Sequence, residues 1–178
     1  LNIKYGVSTW LWTSPFSTQS IRELFPKISK MGFDVVEIAV EDPALIDVKK
    51  VKSALNDHGL KASICGAFGS SRDLTNESKQ VQQNGLSYIE SCLDICKEMG
   101  VDFFGGPMYS AVGKARMLRP AERKVEWDLA VKNLQLVCAM AAARDLKIAL
   151  EPLNRFESDL VNTTEDVLRM VNDISHPA

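Results

Sequence analysis

The sequence predicts an α/β fold in which short, almost continuously apolar strands alternate with amphipathic helices, and three observations support this. Four stretches recur with shared punctuation: MGFD at Met31–Asp34, HGLK at His58–Lys61, MGVD at Met99–Asp102 and RDLK at Arg144–Lys147. Each closes a helical pattern and opens an apolar run. In the first three, a glycine fits the left-handed position just past a helix end, where the next apolar residue packs back. In the fourth, Asp145 stands in that place, a residue type that tolerates the left-handed region.

The elements follow in order. The opening IKYGVSTW is the first strand, and VVEIAV (Val35–Val40), ASICGA (Ala62–Ala67), FFGGPM (Phe103–Met108) and IALEP (Ile148–Pro152) are the next four. Runs this short and this apolar, separated by helices, are how parallel strands covered on both faces read. The helical segments are Ser20–Met31, Val48–His58, Ser78–Met99, Ala121–Arg144 and Thr164–Asp173. The last begins in a capping-box pattern, Asn162 with Glu165, and Thr163 competes for the cap.

A chain of βα units fits two architectures, a doubly wound open sheet or a (β/α)8 barrel. No GxGxxG follows the first strand and no Walker A lysine is present, which weakens a nucleotide-binding reading. A barrel ordinarily takes eight units in about 250 residues. Five units in 178 residues would be its N-terminal part, strands six to eight lying beyond Ala178, in one domain spanning 1–178.

Composition bounds the partners. The chain is 46% apolar and 25% charged with a net charge of -2, an ordinary globular balance that argues against nucleic acid or an anionic membrane as partner. No stretch reads as a membrane span, and LNIKYGVSTW has no basic region followed by an apolar signal core, so a cytoplasmic setting is expected. Cys65, Cys92, Cys96 and Cys138 form no CxxC pair and read as buried reduced thiols.

In either architecture, function sits at the carboxyl ends of the strands. Those ends deliver Ser8, Trp10 and Trp12; Glu37 and Glu41; Cys65, Gly66 and Phe68; Gly105, Gly106, Met108 and Tyr109; and Glu151, Asn154, Arg155 and Glu157. Carboxylates, aromatic rings and glycines on one face suit a small polyhydroxylated ligand. Glu151 is the most informative, because a carboxylate in an apolar strand is costly unless paired, hydrogen-bonded or metal-bound. Neutralisation by Arg155 or a lysine is one reading; a metal ligand or proton-transfer base is the other.

The run LEPLNRFE resembles the fifth-strand signature of the D-tagatose/D-psicose (allulose) 3-epimerase family, within the xylose-isomerase-like TIM barrel superfamily. GFDVVEIAVED, RDLTNESKQVQQNG, GGPMYSAVG and LVNTTEDVLRMVNDISHPA agree with that family in order and spacing, so the likeness spans essentially the whole chain. The resemblance implies a partial (β/α)8 barrel from an enzyme that epimerises free ketoses at C3 with a divalent cation (manganese, cobalt or magnesium). It implies Glu151 as metal ligand and acid/base group, and Glu157 as a sugar contact. Trp10, Gly66 and Gly106 would help wall the pocket. The remaining ligands it implies, an aspartate, a histidine and a glutamate on strands six to eight, lie beyond Ala178. The chain by itself is therefore expected to be inactive.

Related readings are an aldose–ketose or hydroxypyruvate-type isomerase, or a non-catalytic barrel fragment. An abasic-site endonuclease would use Lys114, Arg116, Arg119, Arg123 and Lys124 on phosphates, but Glu122 and Glu126 interrupt that cluster, which reads as a solvated face. His58 reads as a helix-end residue and His176 as exposed. A barrel short of three units has open edges at its first and fifth strands, so a homo-oligomer is expected.

Overall fold

A computed structural model describes residues 3–178; Leu1 and Asn2, which begin the LNIKYGVSTW stretch, lie outside the described residues. The strands are β1 (Gly6–Ser8), β2 (Val35–Val40), β3 (Lys61–Gly66), β4 (Phe103–Gly106) and β5 (Lys147–Leu150). The helices are α1 (Ile21–Lys30), α2 (Val48–Asp57), α3 (Lys79–Met99), α4 (Pro120–Ala142) and α5 (Thr164–Ile174).

The strands pair in parallel in the order β1-β2-β3-β4-β5. That order decides between the two architectures. A doubly wound sheet reverses direction at a switch point, whereas strands laid down in sequence order, each helix packing on the next from α1 to α5, are barrel topology. The fold is a parallel α/β sheet of five βα units, a partial (β/α)8 barrel.

The stops behave as their residues require. Gly32, Gly59 and Gly100 have φ of 86°, 65° and 79°, and Asp145 takes the same left-handed region at 58°. At Gly100 the turn is closed by its N–H donating to the carbonyl of Cys96 at 2.9 Å. The cap of α5 differs from the Asn162–Glu165 expectation. Thr163 Oγ1 accepts from the Asp166 N–H at 3.1 Å, and Asp166 returns a bond from the Thr163 N–H at 3.3 Å. Asn162 is instead taken up by the carbonyls of Leu153 and Ser158, both at 2.8 Å.

Strand register separates two faces. Val36, Ile38, Val40, Ile64 and Phe104 point outward and are buried against Phe25, Ile28, Val51, Ile89, Leu93 and Leu134 of the helices. The opposite, concave face carries Ser8, Glu37, Ser63, Cys65, Gly105 and Ala149, as the paired positions Ser8↔Glu37, Glu37↔Ser63, Cys65↔Gly105 and Gly105↔Ala149 require. Its lower rim is open, with Phe103, Lys61 and Lys147 exposed.

Candidate active site

β5 ends sooner than the sequence suggests. Its ladder closes with Leu150, and the Glu151 N–H makes one last bond to the Gly106 carbonyl at 3.3 Å. Pro152 has no N–H to extend the ladder. Glu151 therefore stands just past the strand, exposed to the concave side rather than sealed within the sheet. The alternative reading, pairing with Arg155 or a lysine, is not met among the described residues. Partial burial, then the nearby charges of Glu37 and Glu157, push the Glu151 carboxyl above the ordinary glutamate range.

The NRFE segment shapes the next turn. The Asn154 side chain accepts from the Phe156 N–H at 2.9 Å, its backbone carbonyl accepts from the N–H groups of Glu157 and Ser158 at 3.0 Å, and its amide donates to the Glu157 carboxylate. The Glu157 carbonyl accepts from the Gly113 N–H at 2.7 Å, so this loop is tied to the one after β4.

Glu151, Glu157, Trp10 and Gly66 line one cleft of about 430 Å³, together with Ala67, Phe68, Gly69, Pro107, Val112 and Leu153. That volume suits a small-molecule site. Trp10 rides on a 3₁₀ turn at Thr9–Leu11, capped by Ser8, and is 44% exposed. Gly106 does not line the cleft. With φ of 133°, it underlies the floor, where an added Cβ would come within 3.1 Å of Phe68 and 3.2 Å of the Gly66 carbonyl. Trp12 faces away, beneath the Lys27 ammonium at 5.0 Å, and Tyr109 is fully buried with its hydroxyl donating to the Val161 carbonyl at 3.1 Å. His176 is half-buried rather than exposed, its Nδ1 accepting from the Ala178 N–H at 3.0 Å.

Of the basic cluster, Arg119 and Lys124 are solvated and paired with Glu122 and Asp128, while the other three are tied into the fold. Lys114 is largely buried against Asp73 and Glu126, Arg116 holds Asp159 and Glu126, and Arg123 reaches the carbonyls of Asp159 and Leu160. A larger groove of about 690 Å³ between α4 and α5 is lined by Trp127 and charged pairs such as Lys124–Asp128, far from any strand end.

Residues 25–178 match the model of the xylose isomerase-like TIM barrel family. The chain belongs to that family. It is 30% identical to a ketose 3-epimerase from Arthrobacter globiformis over 98% of this chain and 60% of that protein. It superimposes with a TM-score of 0.88 on the D-allulose 3-epimerase from Methylomonas sp. in complex with D-allulose, at 25% identity, covering 98% of this chain and 60% of that one. The 3-keto-D-glucoside 4-epimerase from E. coli is 27% identical, with a TM-score of 0.78 over 98% of this chain and 66% of that one. The chain spans about 60% of the length of the curated ketose and ribulose 3-epimerases it matches. No described helix is long and apolar enough to cross a membrane.

Proposed function

We propose that this chain forms the sugar-walling half of a ketose 3-epimerase site, acting on a small free ketose. The observation that carries the reading is the cleft itself: among the described residues Glu151 and Glu157 are its only charged lining groups, set among Trp10, Phe68, Val112 and Leu153. Apolar walls pack on sugar C–H faces, and carboxylates accept hydroxyl protons. No lining lysine or arginine recommends a phosphorylated sugar.

Epimerisation at C3 removes a proton beside the ketone and returns one to the opposite face. Glu151, with its proton affinity raised, is placed to take or deliver that proton on the β5 side. Glu157, steadied by Asn154, orients the sugar. The family's divalent cation, manganese, cobalt or magnesium, fits these residues only in part. Among the described residues no three or more His, Cys, Asp or Glu side chains gather into a metal centre, so Glu151 would be a single donor to the ion. A second copy of the chain is the proposed protein partner.

The test is a titration of the isotope-labelled chain with D-fructose or D-tagatose, followed by NMR. Shifts confined to Gly69, Val112, Glu157 and the Trp10 indole are expected, and Glu157→Gln should weaken binding about tenfold, as for loss of a hydrogen bond to a charged group. With Mn²⁺ added, no C3 epimer is expected from this chain alone. Turnover to a C3 epimer would show that its own residues suffice, and an aldose product would replace the reading with a C1–C2 isomerase.

A further inference from the structure

The loop between β4 and α4 carries a lysine that the cleft does not use directly. The Lys114 ammonium donates to Asp73 Oδ2 at 3.0 Å and to Thr75 Oγ1 at 2.7 Å, and pairs with Glu126 Oε2 at 2.9 Å. Asp73 is 3% exposed and also accepts from the N–H groups of Thr75 at 2.9 Å and Ala111 at 3.2 Å. One buried cation thus joins the loop after β3, the loop after β4 and the second turn of α4.

The backbone beside Lys114 reaches the opposite way, toward the cleft. The Val112 N–H donates to the Phe68 carbonyl and the Gly113 N–H to the Glu157 carbonyl, both at 2.7 Å, and Lys114 forms a parallel bridge with Ser158. Phe68, Val112 and Glu157 come from three different loops and all line the cleft. They are joined by a strut of three residues whose buried anchor is Lys114. Arg116 adds a second tie, its backbone N–H and its guanidinium Nε both donating to Asp159 Oδ2 at 2.8 Å.

We propose that Lys114 is a positioning residue, whose anchorage to Asp73, Thr75 and Glu126 fixes the 112–114 strut and thereby holds Glu157 and Val112 in register across the cleft for a bound sugar. The proposal rests on the sugar reading of the cleft for what Glu157 touches. The anchorage itself is independent of that reading. Without the strut, the Glu157 loop keeps its own Asn154 turn, the Asn162 bond to the Ser158 carbonyl and the ties of Arg116 and Arg123 at Asp159, but the Gly113 N–H that fixes the Glu157 carbonyl loses its support. A lysine that served stability alone would affect the fold as a unit, whereas a positioning lysine acts on the strut and on ligand affinity first.

The experiment uses the labelled chain as wild type, Lys114→Met, Lys114→Arg and the double variant Asp73→Asn/Lys114→Met. The double variant removes the carboxylate that K114M alone would leave buried and unpaired, and it is the one to measure if the single variant does not fold. Amide exchange at Val112 and Gly113 should accelerate at least about tenfold in the methionine variants while Val51 and Leu55 in α2 stay within about twofold, the pattern of a local opening. Affinity for D-fructose should fall about tenfold in the same variants, with K114R recovering most of it through the same charge-assisted bonds. Uniform acceleration across the molecule would overturn the proposal, as would local acceleration with unchanged sugar affinity. A wild-type chain with no sugar-dependent shift at Gly69, Val112 or Glu157 overturns the sugar reading and this role together. That result is distinguishable from failure of the anchor alone, because exchange at Gly113 still separates the variants.

Discussion

Glu151 carries a charge that its surroundings do not offset. Burial first, then Glu37 and Glu157, raise its proton affinity in the folded chain. The folded state therefore holds this proton more tightly than the unfolded chain does. As pH rises from the ordinary glutamate value through the raised folded one, the unfolded chain releases its proton first and stability falls. Glu151→Gln is expected to raise the melting temperature at pH 7 by about 1–2 °C, a small gain because the group is partly solvated, with the difference closing below about pH 4. Melts across that range check it, and an equal difference at pH 3.5 and pH 7 would refute the electrostatic origin. The cysteines are the opposite case, silent because they are buried. Burial pushes Cys65, Cys92 and Cys96 up to about 12, with Glu37 and Glu151 adding to Cys65, and raises Cys138 as well. Iodoacetamide at pH 8 should label none of the four in the native chain and all four in denaturant, read by intact mass; rapid native labelling of Cys65 would contradict its burial.

Two glycines decide how elements meet. Gly85 lies in the second turn of α3, inside the helix, where alanine would favour the helix by about 1 kcal/mol. A Cβ there would meet the Arg72 carbonyl oxygen at 2.7 Å and Leu74 Cδ2 at 2.8 Å. A backbone oxygen cannot step aside as a flexible side chain can, so Gly85→Ala is expected to cost about 1–3 kcal/mol net. Gly66 at the end of β3 is similar: its Cβ would lie 2.6 Å from Phe104 and 2.7 Å from Phe68, and Gly66→Ala should both destabilise and move Phe68 in the cleft. Gly69 has nothing within 4 Å, and Gly69→Ala should stay within about 0.5 kcal/mol. Denaturant titrations order the three; a stabilised Gly85→Ala would show that α3 packs less closely on the Ser70–Arg72 turn. These contacts mark the limit of what sequence alone reveals. The helix stops were legible because a left-handed turn demands glycine or a tolerant substitute, and the strands because apolar runs followed each stop. Glu151 was legible because a carboxylate at an apolar strand's end is chemically odd, whereas Glu157 followed only from the resemblance that LEPLNRFE carries. Lys114 was not legible, since its partner Asp73 lies 41 residues away and its loop reads as a solvated basic stretch. The resemblance implies Gly106 as part of the pocket wall, but sequence does not show whether its backbone faces the cleft or lies beneath it.

At the scale of the molecule, the described sheet is open. Among the described strands β1 pairs with β2 and β5 with β4; the Ile148 N–H on the β5 edge donates to the Ala178 carbonyl at 3.4 Å, and no further strand pairs with either edge. Apolar side chains are exposed at both ends of the sheet: Phe103 at the lower rim is 41% exposed, and Leu11, beside Trp10 on the turn after β1, is 70% exposed. Exposed apolar side chains beside open strand edges favour association. The purified chain is expected to sediment above its 19.7 kDa monomer mass at micromolar concentration and to bind an apolar dye on the way to assembly. Phe103 lies on the concave face in register with Lys147, distant from the strand ends that carry the cleft. Phe103→Glu should therefore shift the distribution toward monomer, because a carboxylate on that face must lose its water for two copies to meet. Substituting Leu136 on the outer face of α4, also exposed, should leave the distribution unchanged. A concentration-independent monomer in the wild type, or a Leu136 variant that dissociates the assembly as effectively as Phe103→Glu, would place the contact elsewhere than the open sheet.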